Sequence, residues 1–480
     1  MGRWGSSPDD ITSGSVAPTL LVLAAPLVAQ NLVHVVNQVV DTFWLGRVDE
    51  ASVAAVGLNF PLLAVMFGVT AMAVIGTHIL VSQRVGLGDE AAARRAVING
   101  VVLAAVLALA LAAVAVFAAD GIVSTLGAGP EVGPLAAMYL ATFAVFFPAA
   151  ACSDTIERGF IGWGDTRAAL YINLLMVGTN VVLDPFLILG WGPFPALGVQ
   201  GAALATGLGY VVGLLAALTL AFGVRESLTL SAADLVVDRS DLRELVVVGS
   251  PLSGQQLAGQ SARIGIIAVV ATVGGAAGLA AYTVGARIAS IAFVPASGFG
   301  QAAQSMIGQN LGAERPDRAH ATVRVGVLIA GGALGIVGAL QWLVPGPLVD
   351  LFAPTFTAAG RDLSVDYLQI LAYGYPAMGI AAVVLAGFNG ASRTKTTFAV
   401  DLIKYWGVRI PAAALALPAA TVAVGGVAVG GLDWGIYAVF WAVTVSNIFA
   451  AVGAGAYYLW RRASMYENAV EEVTSAAADD

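Results

Sequence analysis

The sequence predicts an all-α polytopic membrane protein with about twelve transmembrane helices, arranged as two six-helix lobes related by a pseudo-two-fold axis along the membrane normal. Three observations support this fold class. The 480 residues are 59% hydrophobic and only 11% charged, whereas soluble proteins average about 25% charged residues. Apolar stretches long enough to cross a bilayer follow one another along the chain. Short motifs of the first half also recur in the second half.

Apolar stretches of about 20 residues or more define the individual spans. The first is predicted to be a retained helix rather than a cleaved signal, because no cationic run precedes it and it contains Asp41. The twelve spans are expected near residues 17–45, 52–83, 96–119, 134–157, 168–190, 198–223, 245–272, 277–308, 322–348, 364–388, 396–421 and 433–460.

The basic residues of the loops predict the orientation. If alternate loops face the cytoplasm, those loops collect nearly all the bases, whereas the opposite loops hold only Arg47 and Arg361. This bias places both termini in the cytoplasm. The bases on the cytoplasmic side would be Arg84, Arg94, Arg95, Arg158, Arg167, Arg225, Arg239, Arg243, Arg315, Arg318, Arg324, Arg393, Lys395, Arg461 and Arg462.

The two halves carry matching motifs at offsets of 225, 226 and 228 residues. Six helices per half, an even number, make the halves parallel repeats, which normally hold substrate between them and work by rocking. Pro26 and Gln30 recur as Pro251 and Gln255, Gln83 and Gly86 as Gln309 and Gly312, and Gly162 and Thr166 as Gly390 and Thr394. The predicted domains are a cytoplasmic N-terminal tail (1–16), an N-lobe (17–224), a cytoplasmic linker (225–244), a C-lobe (245–462) and an acidic, disordered cytoplasmic tail (463–480).

A polar stripe marks the first span. At roughly 100° per residue, Gln30, His34, Asn37 and Asp41 lie within about 60° of one another on one helix face. A carboxylate at membrane depth costs on the order of 2–3 kcal/mol or more, so it should face other helices or water. The same arithmetic places Asn173, Asn180 and Asp184 of the fifth span within about 40°.

Both acids lie about 7–9 Å from the outer ends of their helices, at 1.5 Å per residue. Two acids on amide-lined faces at one depth predict a site for H⁺ or Na⁺, and the residues leave open which ion binds. Asp41 corresponds to Ile266 or Ile267 in the repeat, and no acid of the second half matches Asp184. The cation site is therefore predicted in the first half alone.

Several other polar residues have two interpretations. Thr206 either adds a hydroxyl to the site or packs helices together, and Tyr139 either lines the pocket or lies at the membrane interface. Gln30, His34 and Asn37 either line the substrate path, which is the favoured interpretation, or tie helices together, and Asn173 is also predicted to line the pocket. For Asp154 with Arg158, and for Asp401 with Lys404, a solvated ion pair is the favoured interpretation. Pro26 removes a backbone donor inside the first span and is a candidate hinge.

The chain resembles the multidrug and toxic compound extrusion (MATE) family, most closely its archaeal and bacterial branch. The resemblance covers nearly the whole length. It is carried by Pro26 and Asp41 in the first span and by Asn180 and Asp184 in the fifth. The segments GQNLGAERPDRA from Gly308 and WGVRIP from Trp406 add to it.

The resemblance implies two lobes in a V and export of organic, often cationic, compounds against an inward H⁺ or Na⁺ gradient. It implies that Asp41 and Asp184 bind the coupling cation, with Tyr139, Asn180 and Thr206 in the same pocket. One departure is Ile161, which stands where the family's loop usually has arginine. No cofactor is expected. The expected partners are small organic substrates and the lipid bilayer, without nucleic acid, for a monomer in a prokaryotic plasma membrane.

Two other functions fit parts of the sequence. A flippase for lipid-linked precursors would need more spans and a basic central cavity, whereas the spans contain only Arg263, Arg287, Lys404 and Arg409 as bases. An intramembrane aspartyl protease would use a GxGD motif, which Gly162 to Asp165 formally provides. That aspartate falls in a cytoplasmic loop without a partner helix, so we expect a transporter and not an enzyme.

Overall fold

The computed structural model describes residues 8–45, 47–48, 50–125, 130–225, 227–352, 356–418, 422–424, 427–429 and 431–479. Within these ranges the side chains of some helical residues, including His34 and Asp41, lie outside the description. The described chain is almost entirely helical. Its one antiparallel hairpin pairs β1 (Val422–Val424) with β2 (Val427–Val429), and Val422 lies opposite Val429.

The first half contains a short N-terminal helix followed by six long ones. The last of them, α7, continues directly into a π-helical segment, π1. The helices are α1 (Pro8–Ser13), α2 (Val16–Leu45), α3 (Glu50–Leu87), α4 (Glu90–Thr125), α5 (Val132–Trp163), α6 (Thr166–Leu189), α7 (Val199–Thr219) and π1 (Leu220–Val224).

The second half begins after a 3₁₀ turn at Ala232–Asp234. Its first helix, α8, contains two arms that meet at Gly275, where φ is 54° and ψ is −153°. Only glycine adopts this conformation without strain. The break lies between the predicted spans 245–272 and 277–308, where a loop is expected. The elements are α8 (Arg239–Gly312), α9 (Pro316–Leu343), α10 (Pro345–Phe352), α11 (Ala358–Ala372), α12 (Tyr375–Gly390), α13 (Thr394–Leu402), π2 (Ile403–Arg409), α14 (Ile410–Ala414) and α15 (Ile436–Asp479).

The predicted spans all fall on these helices. Eight helices of the described chain are long and apolar enough to cross a membrane, and α11 with α12, bent by 45°, makes a ninth span. The two arms of α8 and the α13–π2–α14 segment coincide with the remaining three predicted spans. The first arm of α8 is less apolar because it carries Gln255, Gln256, Gln260 and Arg263. The prediction of a two-lobe helical membrane protein is confirmed.

Packing follows the division into halves. In the first half α4, α3 and α7 pack on α5, and α2 and α7 pack on α6. In the second half α8, α9 and α15 pack around α12. The most extensive contact between the halves is that of α3 with α8. We call the two halves the N-lobe and the C-lobe, and the membrane end with the many basic loop residues the arginine-rich end.

At the arginine-rich end, the repeated motifs make one contact twice. Gln83 Nε2 of the N-lobe donates to the carbonyl of Gly390 at 2.9 Å, and Gln309 Nε2 of the C-lobe donates to the carbonyl of Gly162 at 2.8 Å. The two glutamines are repeat partners, and so are the two glycines. The internal repeat therefore appears in three dimensions as a pair of reciprocal hydrogen bonds that hold the lobes together.

Two glycines allow this close approach. A Cβ on Gly86 would lie 2.1 Å from the carbonyl oxygen of Gln309, and a Cβ on Gly312 would lie 2.0 Å from that of Gln83. Both distances are far below van der Waals contact, so only glycine lets the two backbones meet here. Nearby, His78 lies between Ser305 and Gln304 of α8, at 2.7 and 3.0 Å.

The disorder predicted for the acidic tail is wrong as far as the structure describes it. Helix α15 continues to Asp479, because Met465, Tyr466 and Ala469 are buried against the C-lobe. Glu472 is exposed and forms an ion pair with Arg393 at 2.9 Å. The linker also ends earlier than predicted, since α8 begins at Arg239.

Candidate functional site

The polar face of α6 lies inside the N-lobe. The helix begins after Asp165, whose side chain caps it by accepting from the Ala168 amide at 3.0 Å. Its three predicted site residues, Asn173, Asn180 and Asp184, are at most 2% exposed. Polar side chains at this depth need polar neighbours, because no water or lipid headgroup reaches them. The prediction that this face points to other helices is confirmed.

Small residues of α7 bring it against that face. A Cβ on Gly201 would lie 2.2 Å from the Leu187 carbonyl oxygen, and one on Gly209 would lie 2.7 Å from that of Met176. Close backbone approach through small residues is typical of helix pairs in membranes. It places Thr206 of α7 beside the polar face of α6.

Asn180 connects the residues of the candidate cation site. Its Nδ2 donates to Asp184 Oδ1 at 3.2 Å and lies 3.4 Å from Thr206 Oγ1. The threonine hydroxyl in turn donates to the Ala202 carbonyl of its own helix at 2.9 Å, and its contact with Asn180 links α7 to α6. The structure thus brings together three of the four predicted residues. The side chain of the fourth, Asp41, lies outside the described residues.

A second carboxylate is buried in the N-lobe. Glu157 of α5 is only 5% exposed, and its Oε1 accepts from Gln30 Nε2 at 2.7 Å. Its Oε2 accepts from Asn173 Nδ2. Arg158 instead donates across the lobes to Gln301 of α8. The sequence favoured a solvated Asp154–Arg158 ion pair, whereas in the structure both side chains are half-buried and the arginine donates to Gln301.

The C-lobe also contains a buried carboxylate. Asp401 of α13 is 7% exposed, and its Oδ2 accepts from Gln255 Nε2 of α8. Lys404 Nζ lies 4.0 Å from Asp401 Oδ1. The predicted ion pair is present, but the prediction that it is solvated is wrong, since the lysine side chain is 16% exposed. The internal repeat could have predicted that Asp401 is buried, because an offset of 228 aligns it with Asn173.

The other predicted residues are spread along the N-lobe. Tyr139 is 6% exposed and its ring stacks on Phe143 at 6.5 Å, so it lies inside the lobe and not at the lipid surface. Asn37 is half-buried. The side chain of His34 lies outside the described residues. Helix α2 continues through Pro26 as one element.

The contacts of Asp165 bear on the protease alternative. Asp165 of the formal GxGD motif is the cap of α6, accepts from Ser227 Oγ at 2.8 Å and lies 3.6 Å from Arg225. These contacts give it a structural role.

A cavity of about 530 Å³ opens at the arginine-rich end, where Gln83, Arg84, Asp241 and Arg393 contribute to its wall. It is separate from the polar faces of α2 and α6.

Comparison with known proteins agrees with this architecture. A family model described as MatE matches residues 26–186 and 251–415. The chain is 30% identical to a probable multidrug resistance protein NorM of Pseudomonas putida, covering 93% of this chain and 96% of that protein. It is 24% identical to an FAD transporter of Shewanella oneidensis, covering 94% and 96%.

The fold is similar to that of a MOP superfamily transporter from Pyrococcus furiosus, with a TM-score of 0.87. The two chains are 22% identical, and the match covers 96% of this chain and 99% of the other. The two stretches matched by the family model are the repeated helix sets of the two lobes, and together they make up more than half of the chain. The chain therefore belongs to the MatE family of multidrug and toxic compound extrusion transporters.

Proposed function

We propose that this protein is a secondary active antiporter that exports organic compounds in exchange for H⁺ or Na⁺, with the coupling cation bound by Asp41 and Asp184. One observation carries the proposal. Asp184 is 0% exposed and has an amide, that of Asn180, as its neighbour. Helix α6 has no base beyond Arg167 in its first turn. A carboxylate buried at membrane depth beside an amide favours a proton or a small cation as its counter-charge.

The site offers oxygen atoms to such a cation. Asn180 Oδ1 is buried and finds no hydrogen-bond donor among the described side chains. Together with Thr206 Oγ1 and the Asp184 carboxylate, it forms a set of hard oxygen ligands. A proton on Asp184 would neutralise the same charge without these ligands. The chemistry of the residues therefore suits both ions, and the choice between them is a matter for transport measurements.

Alternating access follows from the contacts between the lobes. The reciprocal Gln83 and Gln309 hydrogen bonds close the arginine-rich end. Opening that end requires residues 17–224 and 245–462 to rock against each other as two bodies, with Pro26 as a hinge in α2. Cation binding in the N-lobe drives such a change only if it favours one of the two arrangements. The bias of the loop bases supports an orientation with both termini and the arginine-rich end in the cytoplasm. We propose a monomer in the plasma membrane of a prokaryotic cell.

Membership of the family indicates the transport mechanism more closely than it indicates the class of substrate. The two relatives named above are a multidrug resistance protein and an FAD transporter, which handle chemically different cargo. The acidic N-lobe favours organic cations that compete with the coupling ion. Family membership points to transport of such compounds and not to their chemical conversion.

The test is efflux from proteoliposomes with pH and Na⁺ gradients imposed separately. Ethidium is a suitable cationic probe because its fluorescence reports its location. We expect at least one gradient to drive efflux by the wild type and neither to drive efflux by Asp184→Asn. Asp120→Asn is the matched control, since Asp120 is an exposed acid of the same lobe. Efflux that persists in Asp184→Asn, or that no gradient drives, would contradict the proposal.

A further inference from the structure

The C-lobe contains an arginine at membrane depth with an uncompensated charge. Arg263 lies 12 residues before Gly275, about 18 Å along the first arm of α8 at 1.5 Å per residue. Its side chain is exposed, and it has no ion pair or hydrogen bond with the residues whose side chains the structure describes. Charged side chains inside a membrane protein normally face a partner or a water-filled path. Arg263 therefore needs an anion that the described part of the chain does not supply.

Contacts on either side of Arg263 show where it points. Ser253 Oγ of α8 donates to the Val69 carbonyl of α3 at 3.2 Å, so that face of α8 meets the N-lobe. A Cβ on Gly259 would lie 3.5 Å from the ring of Tyr405, so a second face meets π2. At 100° per residue, Arg263 falls between these two directions. It is therefore directed toward the space between the N-lobe and π2.

The π2 segment adds two more cations next to this space. Lys404 Nζ and the Arg409 guanidinium each lie 4.8 Å from the ring centre of Tyr405. Arg409 donates to Ser446 at 2.8 Å and to Asn447 at 2.9 Å, both of which are neutral. Its positive charge is thus held in place without being cancelled. Segments of π-helix are rare and often occur at functional sites.

Tyrosines of the C-lobe connect the two arginines. Tyr282 and Tyr367 each lie near both Arg263 and Arg409. The Tyr282 and Tyr367 rings stack on each other at 5.6 Å. Arg263, Lys404 and Arg409, with Tyr405 and Tyr282, therefore form one group, which we call the C-lobe basic cluster. Lys404 lies 4.0 Å from Asp401, which is the one ion pair that the described residues give to this cluster.

We propose that the C-lobe basic cluster binds an anionic group, a carboxylate or a phosphate, of the exported organic compound. Guanidinium groups suit this role because they bind both kinds of oxyanion through paired N–H donors. Tyr405 and Tyr282 provide aromatic faces for a planar substrate body. This proposal rests on the proposed antiport and adds a substrate class, organic compounds that carry an anionic group, to the organic cations proposed above.

The two lobes would then divide the charges between them. The N-lobe holds carboxylates for the coupling cation, and the C-lobe holds cations for the anionic group of the substrate. A purely cationic compound would find its own sign of charge in the C-lobe. An anionic compound would gain charge-assisted hydrogen bonds there, which are the stronger kind.

Binding measurements on the full-length protein in lipid nanodiscs test the proposal. Riboflavin 5′-phosphate and riboflavin share a fluorescent ring system and differ by one phosphate, so fluorescence anisotropy compares them directly. We expect the phosphate to bind at least tenfold more tightly. Arg263→Gln and Arg409→Gln should each weaken binding of the phosphate about tenfold and change binding of riboflavin less than twofold. Displacement of the bound phosphate by hippurate, compared with hippuramide, tests whether a carboxylate is accepted as well.

Two further variants control for damage to the fold. Arg263→Lys keeps the charge and should retain most of the preference for the phosphate. Arg361→Gln removes an exposed arginine of the same lobe, paired with Asp350, and should change nothing. Equal affinities of the wild type for riboflavin 5′-phosphate and riboflavin would overturn the proposal. If a gradient drives ethidium efflux but riboflavin 5′-phosphate is not preferred, the antiport mechanism stands and the anion site is refuted. If the phosphate is preferred but no gradient drives transport, the anion site stands and the antiport mechanism is refuted.

Discussion

The two lobes hold a buried carboxylate in related but different ways. In the N-lobe, Gln30 of α2 donates to Glu157 of α5. In the C-lobe, Gln255, the repeat partner of Gln30, donates to Asp401 of α13. Asp401 occupies the position that Asn173 occupies in α6, eight residues into each helix from its first threonine. The glutamine has kept its place in both copies, while the acid stands on a different helix.

The neighbours of the acids differ more than the acids themselves. Glu157 accepts from two amides, and Asp184 lies beside the amide of Asn180. Asp401 has Lys404 at 4.0 Å. Asp401 has a lysine in direct contact, whereas the hydrogen bonds described for Glu157 and Asp184 come from amides, with Arg158 as a further charge near Glu157. The two lobes therefore differ in the kind of group that contacts the buried acid.

The largest expected effect comes from removing an acid in each lobe. Asp184→Asn keeps the shape but cannot exchange a proton, and we expect gradient-driven efflux to fall about 100-fold or more, equivalent to about 3 kcal/mol. Asp401→Asn should cost less than about fivefold, or about 1 kcal/mol. Initial efflux rates in proteoliposomes at equal protein content compare the two. If the Asp401 variant were the inactive one, the coupling site would belong to the C-lobe.

The next effect concerns a feature in which the lobes are alike. Gly86→Ala and Gly312→Ala each place a methyl group about 2 Å from a carbonyl oxygen of the opposite lobe. Overpacking of this kind typically costs about 1–3 kcal/mol. We expect both variants to disfavour closure of the arginine-rich end to a similar degree. Alkylation of a cysteine introduced at Ser392, beside the Gln83 hydrogen bond, would report the opening as a faster reaction.

Gly57→Ala is the control for that experiment. A Cβ on Gly57 of α3 meets nothing within 4 Å, so this variant should alkylate like the parent. Unequal responses of the Gly86 and Gly312 variants would show that the two halves of the crossing are not equivalent. An unchanged rate in both would mean that the contact is not the closure.

A third effect separates the prolines of the two lobes. Pro26 and Pro251 are repeat partners, and both lie inside helices. Pro26→Ala restores a backbone donor and favours a straighter α2. We expect it to leave cation binding intact while slowing turnover about fivefold, or about 1 kcal/mol. Pro251→Ala should slow it less because the cation site lies in the N-lobe. Cation binding and transport measured in one preparation decide the matter, and unchanged transport in the Pro26 variant would make that proline a static element.

Much of this architecture follows from local sequence signals. Apolar length gives the spans, and the constant offset gives the lobes and even the pairing of Gln83 with Gln309 as equivalent residues. The polar face of α6 follows from helical periodicity alone, since Asn173, Asn180 and Asp184 repeat at its period. These signals depend on neighbours along one helix, which a single sequence contains.

The failures concern partners on different helices. Arg158 stands four residues after Asp154, so the sequence favours a local ion pair, but α8 offers Gln301 to the arginine from 143 residues away. Asp401 and Lys404 are neighbours along the chain, yet only the packing of α8 on α13 buries them. The disorder expected of residues 463–480 failed for a similar reason, because Tyr466 and Ala469 are buried in a surface formed by other helices. Burial by distant segments is not visible in local composition.

The last prediction concerns whether the hydrogen bond of the repeated glutamine has the same energetic value in each lobe. A double-mutant cycle of Gln30→Ala with Glu157→Gln measures the coupling of that pair, and one of Gln255→Ala with Asp401→Asn measures its counterpart. Hydrogen bonds to charged groups are typically worth about 1.5–3 kcal/mol. Lys404 shares the charge of Asp401, so we expect the C-lobe coupling to be smaller, about 1 kcal/mol or less. Thermal unfolding in detergent gives the stabilities of the parent, the two single variants and the double variant of each cycle. A larger coupling in the C-lobe would mean that Lys404 does not offset the charge of Asp401, and the contrast between the lobes would then have to be sought in the geometry of π2.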